Sequence, residues 1–232
     1  MSDLPSDPMK LHPACVLFDL DGTLVDTAPD LAYAANQVRI EQGLTPLPVS
    51  DYRSSASGGA RGMLKVALDI EPEHVGYAER KESFLHHYRS HLAHDSRLFP
   101  GVADLLQRLQ RHGIRWGIVT NKVSSLTQPL IDALDLRRQA ACIVCGDCTP
   151  NPKPAPDPIL LAAQQSGFAA RDCIYVGDDL RDIQAGAAAG MRTVAAAWGY
   201  LGLHPNPHDW SADVVVDTPA ELFEMIDLRR AA

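Results

Sequence analysis

Short apolar runs alternate with stretches of helical periodicity along most of the chain, and this alternation constrains the fold more than any single residue. Residues 15–19, 114–120, 141–145, 173–177, 192–196 and 213–216 read as strands. Residues 103–112, 124–136, 158–166 and 182–189 carry apolar side chains at helical spacing, and Gly113, Gly167 and Gly190 stand where three of these helices would stop. Strands buried on both faces read as continuous apolar runs, so the pattern predicts an α/β fold around a parallel sheet.

The rhythm breaks between residues 28 and 96. That segment shows no strand pattern and reads as helices over residues 31–42, after Ser57-Gly58-Gly59, and from 73 to about 93. In the last of these, Val75, Phe84, Leu85, Tyr88 and Leu92 form an apolar stripe. The expected organisation is a core of residues 1–27 and 97–232 with a helical lid domain of residues 28–96. The crossings would fall near Thr27 and near Leu98-Phe99-Pro100-Gly101.

At 232 residues the chain is long enough for one sizeable core with a small insertion. A net charge of −8 argues against a nucleic-acid surface, which needs clustered Lys and Arg. Residues 1–10 lack the basic and apolar regions of a signal peptide, and no apolar run is long enough to span a bilayer, so a cytoplasmic, soluble protein is expected. Cys142, Cys145 and Cys148 give two overlapping CxxC spacings. They fall on a strand-like apolar run without a second pair or a nearby His, so they read as small hydrophobes rather than metal ligands.

Ligands of an open parallel sheet bind at the carboxyl ends of its strands. Those ends read Asp19-Leu20-Asp21-Gly22-Thr23, then Thr120-Asn121-Lys122, then a loop carrying Lys153, then Gly177-Asp178-Asp179. Crowded carboxylates repel unless a cation holds them, and hard oxygen ligands suit magnesium. The set fits phosphoryl transfer. One carboxylate attacks phosphorus, and a second protonates the leaving group and then deprotonates water. Lys153 lies in a segment with prolines at 152, 154, 156 and 158, which stiffen the loop that presents its ammonium.

In this order Asp19-Leu20-Asp21-Gly22-Thr23, Thr120, Lys153 and Gly177-Asp178-Asp179-Leu180-Arg181-Asp182 resemble the four motifs of the haloacid dehalogenase-like (HAD) hydrolases, over nearly the whole chain. The resemblance implies a Rossmann-like core with a small α-helical cap, as in the phosphoglycolate phosphatase-like subgroup. It implies Asp19 as nucleophile and Asp21 as general acid/base, with the Asp21 carbonyl on the metal. Thr120 would bind the phosphoryl group, Lys153 would neutralise charge, and Asp19 and Asp178 would ligate Mg2+. Asp182 matches the last acid of the motif, as ligand or support.

The resemblance further implies a small phosphorylated metabolite as substrate, carboxylated like 2-phosphoglycolate or N-acetylmuramic acid 6-phosphate, and a monomer or homodimer is expected. Gly59 and Arg61, on the Gly-rich turn of the insertion, and Asn121 are candidate substrate contacts, with Arg61 expected on a carboxylate or sugar oxygen. Asp179 reads as a helix start favoured by the macrodipole. His86, His87, His91 and His94 read as a polar helix face. Two rival functions stand beside this one: a phosphomutase of the β-phosphoglucomutase type, which would keep every motif, and a non-catalytic phosphoacceptor or sensor, whose receiver form also combines acids, Thr and Lys on a parallel sheet but is shorter and lacks the helical insertion.

Overall fold

The computed structural model describes residues 11–226. The N-terminal stretch read for a signal peptide lies outside the described residues. The chain begins with β1 (Cys15–Phe18) and β2 (Val25–Asp26), then passes through α1 (Ala28–Glu41), α2 (Val49–Arg53), α3 (Gly59–Leu68) and α4 (Tyr77–Ser90). It returns through β3 (Arg97–Leu98), α5 (Val102–Arg111), β4 (Arg115–Val119), α6 (Ser124–Ala133) and β5 (Ile143–Val144). The remainder is α7 (Asp157–Ser166), β6 (Cys173–Gly177), α8 (Leu180–Ala188), β7 (Arg192–Ala196), β8 (Val214–Val216) and α9 (Pro219–Met225).

Six strands form one sheet in the order β5-β4-β1-β6-β7-β8, and every pairing in it is parallel. Successive side chains of a strand point to opposite faces. Val16 and Phe18 accordingly join one apolar cluster with Leu105, Leu109 and Leu130 of α5 and α6. Cys15 and Leu17 join another with Ile159 and Ala162 of α7 and Ala185 of α8. This is the α/β sheet with helices on both faces that the alternation predicts, and β1 sits at its centre.

Between β2 and β3 every described element is helical. The two short strands pair antiparallel, Val25 with Leu98 and Asp26 with Arg97, so the chain leaves and re-enters the sheet region at one place. The buried side chains of the insertion, among them Met63, Leu64, Phe84 and Tyr88, are contiguous with the cluster on the Val16–Phe18 face rather than forming a core apart. One feature of the expected stripe is corrected. Val75 precedes α4 and is 90% exposed, because the chain turns at residues 71–76 before the helix starts. No helix among the described residues is long and apolar enough to cross a membrane.

Candidate active site

The carboxyl ends of β1, β4 and β6 bring the predicted groups together. Asp19 follows the last residue of β1, and its amide is held by Val176 O of the neighbouring strand at 2.9 Å. Its carboxylate Oδ1 accepts from Lys153 Nζ at 2.8 Å. Lys153 Nζ also reaches Asp182 Oδ1 at 2.7 Å, Val119 O at 3.0 Å and Tyr175 Oη at 3.0 Å. All these groups are buried. Burial works against the lysine's charge, but Asp182 and Asp19 outweigh it and hold the ammonium more firmly protonated than in water.

Asp178 lies at the end of β6. Its Oδ1 accepts from Thr23 Oγ1 at 2.7 Å and its Oδ2 from Tyr200 N at 2.8 Å. Backbone crowds this carboxylate. A Cβ on Gly22, which has a φ of 93°, or on Gly199 would overlap Asp178. Oxygens of Asp19, Asp178 and Asp182 all lie within 4.8 Å of one another.

Burial raises the Asp19 carboxyl to about 7, with Asp182 and Asp21 adding to the rise and Lys153 opposing it. Burial and then the neighbouring Asp19 and Asp182 push Asp178 well above the usual carboxylate range. Three buried acids against one ammonium is a charge imbalance that a divalent cation on oxygen ligands would relieve, so the residues present fit magnesium.

Asp182 does not contribute freely. Its Oδ1 takes Lys153, and its Oδ2 accepts from Asp179 N at 3.1 Å in a reciprocal cap of α8, in which Asp179 Oδ1 accepts from Arg181 N at 2.9 Å. Its geometry is that of a support for Lys153 and for the helix start. Asp179 is the N-cap, in keeping with the reading of this residue as a helix start.

Asp21 stands beside the acid cluster rather than in it. Its Oδ1 accepts from Thr27 Oγ1 at 2.6 Å and from Lys122 Nζ at 2.7 Å. The Lys122 side chain is 9% exposed; burial works against its charge, and Asp21 and then Tyr88 outweigh that and raise its pKa. Thr120 is buried at the end of β4, and its Oγ1 accepts from Lys122 N at 3.1 Å.

A cavity of about 460 Å³ opens over these groups. Asp19, Asp21, Thr120 and Lys153 line its floor, and Gly59, Arg61, Lys81 and Tyr88 of the insertion line the opposite side. Two predicted contacts line the cavity with polar groups already engaged by the protein. Asn121 lines the cavity, but its amide is engaged at both ends by the main chain of Lys153, Oδ1 to the N–H and Nδ2 to the carbonyl, each at 2.9 Å. It therefore positions the lysine loop. Arg61 has a side chain 67% exposed and pairs with Glu71 at 2.9 Å, because the sequence brings that acid back beside α3. Gly59 has a φ of 56° at the start of α3, and a Cβ there would meet nothing, so its requirement is conformational.

Sequence reasoning passed over Tyr175, Arg181 and Tyr200. Arg181 bonds Asp179 and also donates to Ser57 O at 3.0 Å, bridging the sheet region to the insertion. Its place within the 178–182 motif was the available signal. Elsewhere, Cys145, Asp147 and Cys148 lie close together. Asp147 caps Ser124 through its amide and hydroxyl, and burial raises the Cys145 thiol.

A family model described as haloacid dehalogenase-like hydrolase matches residues 16–196. An N-acetylmuramic acid 6-phosphate phosphatase of Pseudomonas putida is 41% identical over 212 residues, which cover 91% of this chain and 95% of the relative. A phosphoglycolate phosphatase of Xanthomonas campestris pv. campestris is 44% identical over 215 residues, covering 91% and 96%. The crystal structure of a predicted phosphoglycolate phosphatase from Haemophilus somnus matches with a TM-score of 0.81 at 27% identity, covering 92% of this chain and 97% of that one. The chain belongs to the haloacid dehalogenase-like hydrolases. Within them it is a phosphoric monoester hydrolase of the phosphoglycolate phosphatase-like kind.

Proposed function

We propose that the chain hydrolyses a small carboxylated phosphate monoester, such as 2-phosphoglycolate or N-acetylmuramic acid 6-phosphate, through a phosphoryl group carried on Asp19. The observation that carries this reading is the Asp19 carboxylate itself. It directly follows the central strand, lines the cavity and is bonded to a buried lysine at 2.8 Å.

In the first step a carboxylate oxygen of Asp19 attacks phosphorus, the ester P–O bond breaks, and protonated Asp21 gives its proton to the leaving alkoxide. In the second, ionised Asp21 takes a proton from water as the water oxygen attacks phosphorus, freeing inorganic phosphate and the Asp19 carboxylate. Thr27 and Lys122 both hold Oδ1 of Asp21, so neither engages Oδ2 for this proton traffic. Lys153 offsets charge on the phosphoryl oxygens, and Asn121 and Asp182 hold Lys153 in place. Asp19 and Asp178, with the Asp21 carbonyl, would hold Mg2+, which when bound screens the nucleophile from the phosphate and polarises a phosphoryl oxygen. The helical insertion acts as a cap that keeps water from the first step.

The test is hydrolysis of p-nitrophenyl phosphate and of both carboxylated esters with magnesium. Activity is expected to disappear with chelator and in Asp19→Asn. Full activity in Asp19→Asn would overturn the mechanism.

A further inference from the structure

Five cationic side chains line the cavity: Arg61, Lys81, Lys122, Lys153 and Arg181. Four are already matched by acids. Lys153 pairs with Asp19 and Asp182, Lys122 with Asp21, Arg181 with Asp179, and Arg61 with Glu71. Lys81 is the exception. It is exposed and has no ion pair or hydrogen bond among the described residues.

Its position gives the lone ammonium meaning. Tyr77, Lys81, Phe84, Leu85 and Tyr88 all line the cavity, and their spacing along α4 places them on one helix face. Lys81 is thus the single charge in an otherwise aromatic and aliphatic wall. An exposed lysine on a helix is ordinarily a solvated charge. Here it lines a cavity whose other cations are each bonded to an acid.

The floor also decides where a second anionic group of a substrate can go. Asp19, Asp21, Asp179 and Asp182 line the cavity on the sheet side and already occupy its cations Lys122, Lys153 and Arg181, so among the described residues no unpaired cation is left there for a second anionic group. With the phosphoryl group at Asp19 and Lys153, a carboxylate on the leaving group finds the cavity's unpaired cation on the insertion. Arg61 already shares its charge with Glu71 through Nε, whereas Lys81 has no acid paired with it among the described residues.

We propose that Lys81, rather than Arg61, binds the carboxylate of the substrate's leaving group and so sets the preference for doubly anionic esters. This rests on the phosphatase reading and deepens it.

The experiment is steady-state kinetics of the full chain with magnesium on p-nitrophenyl phosphate, 2-phosphoglycolate and N-acetylmuramic acid 6-phosphate. The quantity compared is kcat/KM for the better carboxylated ester divided by kcat/KM for p-nitrophenyl phosphate. A charge-assisted hydrogen bond corresponds to a factor of about ten or more. Lys81→Gln is expected to lower the ratio about tenfold, mainly through KM, and Lys81→Arg to restore most of it. Arg61→Gln is expected to change it by less than about threefold on the same scale. An unchanged ratio in Lys81→Gln, or a larger fall in Arg61→Gln, would overturn the assignment. So would a wild-type protein that hydrolyses p-nitrophenyl phosphate and neither carboxylated ester. Hydrolysis of none of the three would overturn the phosphatase reading itself. Melting temperatures of the variants, expected within about 2 °C of wild type for an exposed position, separate binding loss from unfolding.

Discussion

Tyr200 connects Asp178 to the first crossing into the helical insertion. The Asp178 carboxylate accepts the Tyr200 amide at 2.8 Å. The phenol oxygen of the same residue accepts from Thr27 N at 2.7 Å and Ala28 N at 2.8 Å, and donates to Asp26 Oδ1 at 2.8 Å. Thr27 and Ala28 have no earlier helical turn to bond, so the tyrosine supplies the acceptor at the N-terminus of α1. The second crossing is pinned in the same manner, by Asp30 accepting from Asp95 N, Ser96 N and Ser96 Oγ.

Tyr200→Phe removes the phenol acceptor from both amides; Ala28 N keeps Asp26 Oδ1 at 3.3 Å, and Thr27 N is left unpaired. A loss of about 1–3 kcal/mol in stability is expected for a buried donor left unpaired. Amide exchange should accelerate at Thr27 and Ala28 while β1 stays protected. Unchanged exchange at both amides would show that the phenol does not hold the crossing.

Asp178→Asn removes one of three crowded acids. The metal-free variant is expected to melt no lower than wild type, because burial and repulsion by Asp19 and Asp182 already disfavour the ionised carboxyl. Magnesium at a hundredfold excess over its Kd should stabilise wild type by about 2.7 kcal/mol and the variant hardly at all. Melting curves with chelator and with magnesium measure both. An equal magnesium shift in the two proteins would remove Asp178 from the ligand set.

Lys153→Met should have the opposite character. It strips Asp19 and Asp182 of the ammonium at 2.8 and 2.7 Å while keeping the bulk of the side chain. Leaving buried charge unpaired costs roughly 3–5 kcal/mol. Denaturant unfolding of the metal-free proteins is the measurement. Adding Asp182→Asn to the lysine variant should return part of the loss, since one unpaired acid then disappears.

Thiol labelling of the native protein should modify one cysteine quickly. Cys148 is exposed, whereas Cys15, Cys142, Cys145 and Cys173 are buried. Burial pushes the Cys142 thiol up to about 12, so little thiolate forms at neutral pH. Mass spectrometry after brief alkylation should show a single adduct at Cys148, and all five only after unfolding. Rapid native labelling at Cys145 would contradict its burial.

The groups at the strand ends were readable because a parallel sheet places them by rule. Once residues 15–19, 114–120 and 173–177 are strands, Asp19, Thr120 and Asp178 must share an edge. What could not be read depends on contacts between residues distant in the chain. Tyr200 sits in an irregular segment and bonds Thr27, and the amide of Asn121 turns to Lys153 rather than outward. Arg61 meets Glu71 only because of the turn after α3. The strands β2 and β3 have two residues each, too few for any periodicity to register. Lys81 looks like any surface lysine until the cavity wall around it is seen.

The pairing of Asp26 with Arg97 also bears on how such a chain can change. Both ends of the helical segment emerge side by side from a ribbon outside the six-stranded sheet, so closing the gap there demands only a tight turn. A replacement module of different length or architecture could be grafted between those two positions without shifting the register of β1, β4 and β6. If the insertion chooses the ester, as proposed, the reaction machinery and the selecting part would be separable inheritances, free to diverge at different rates.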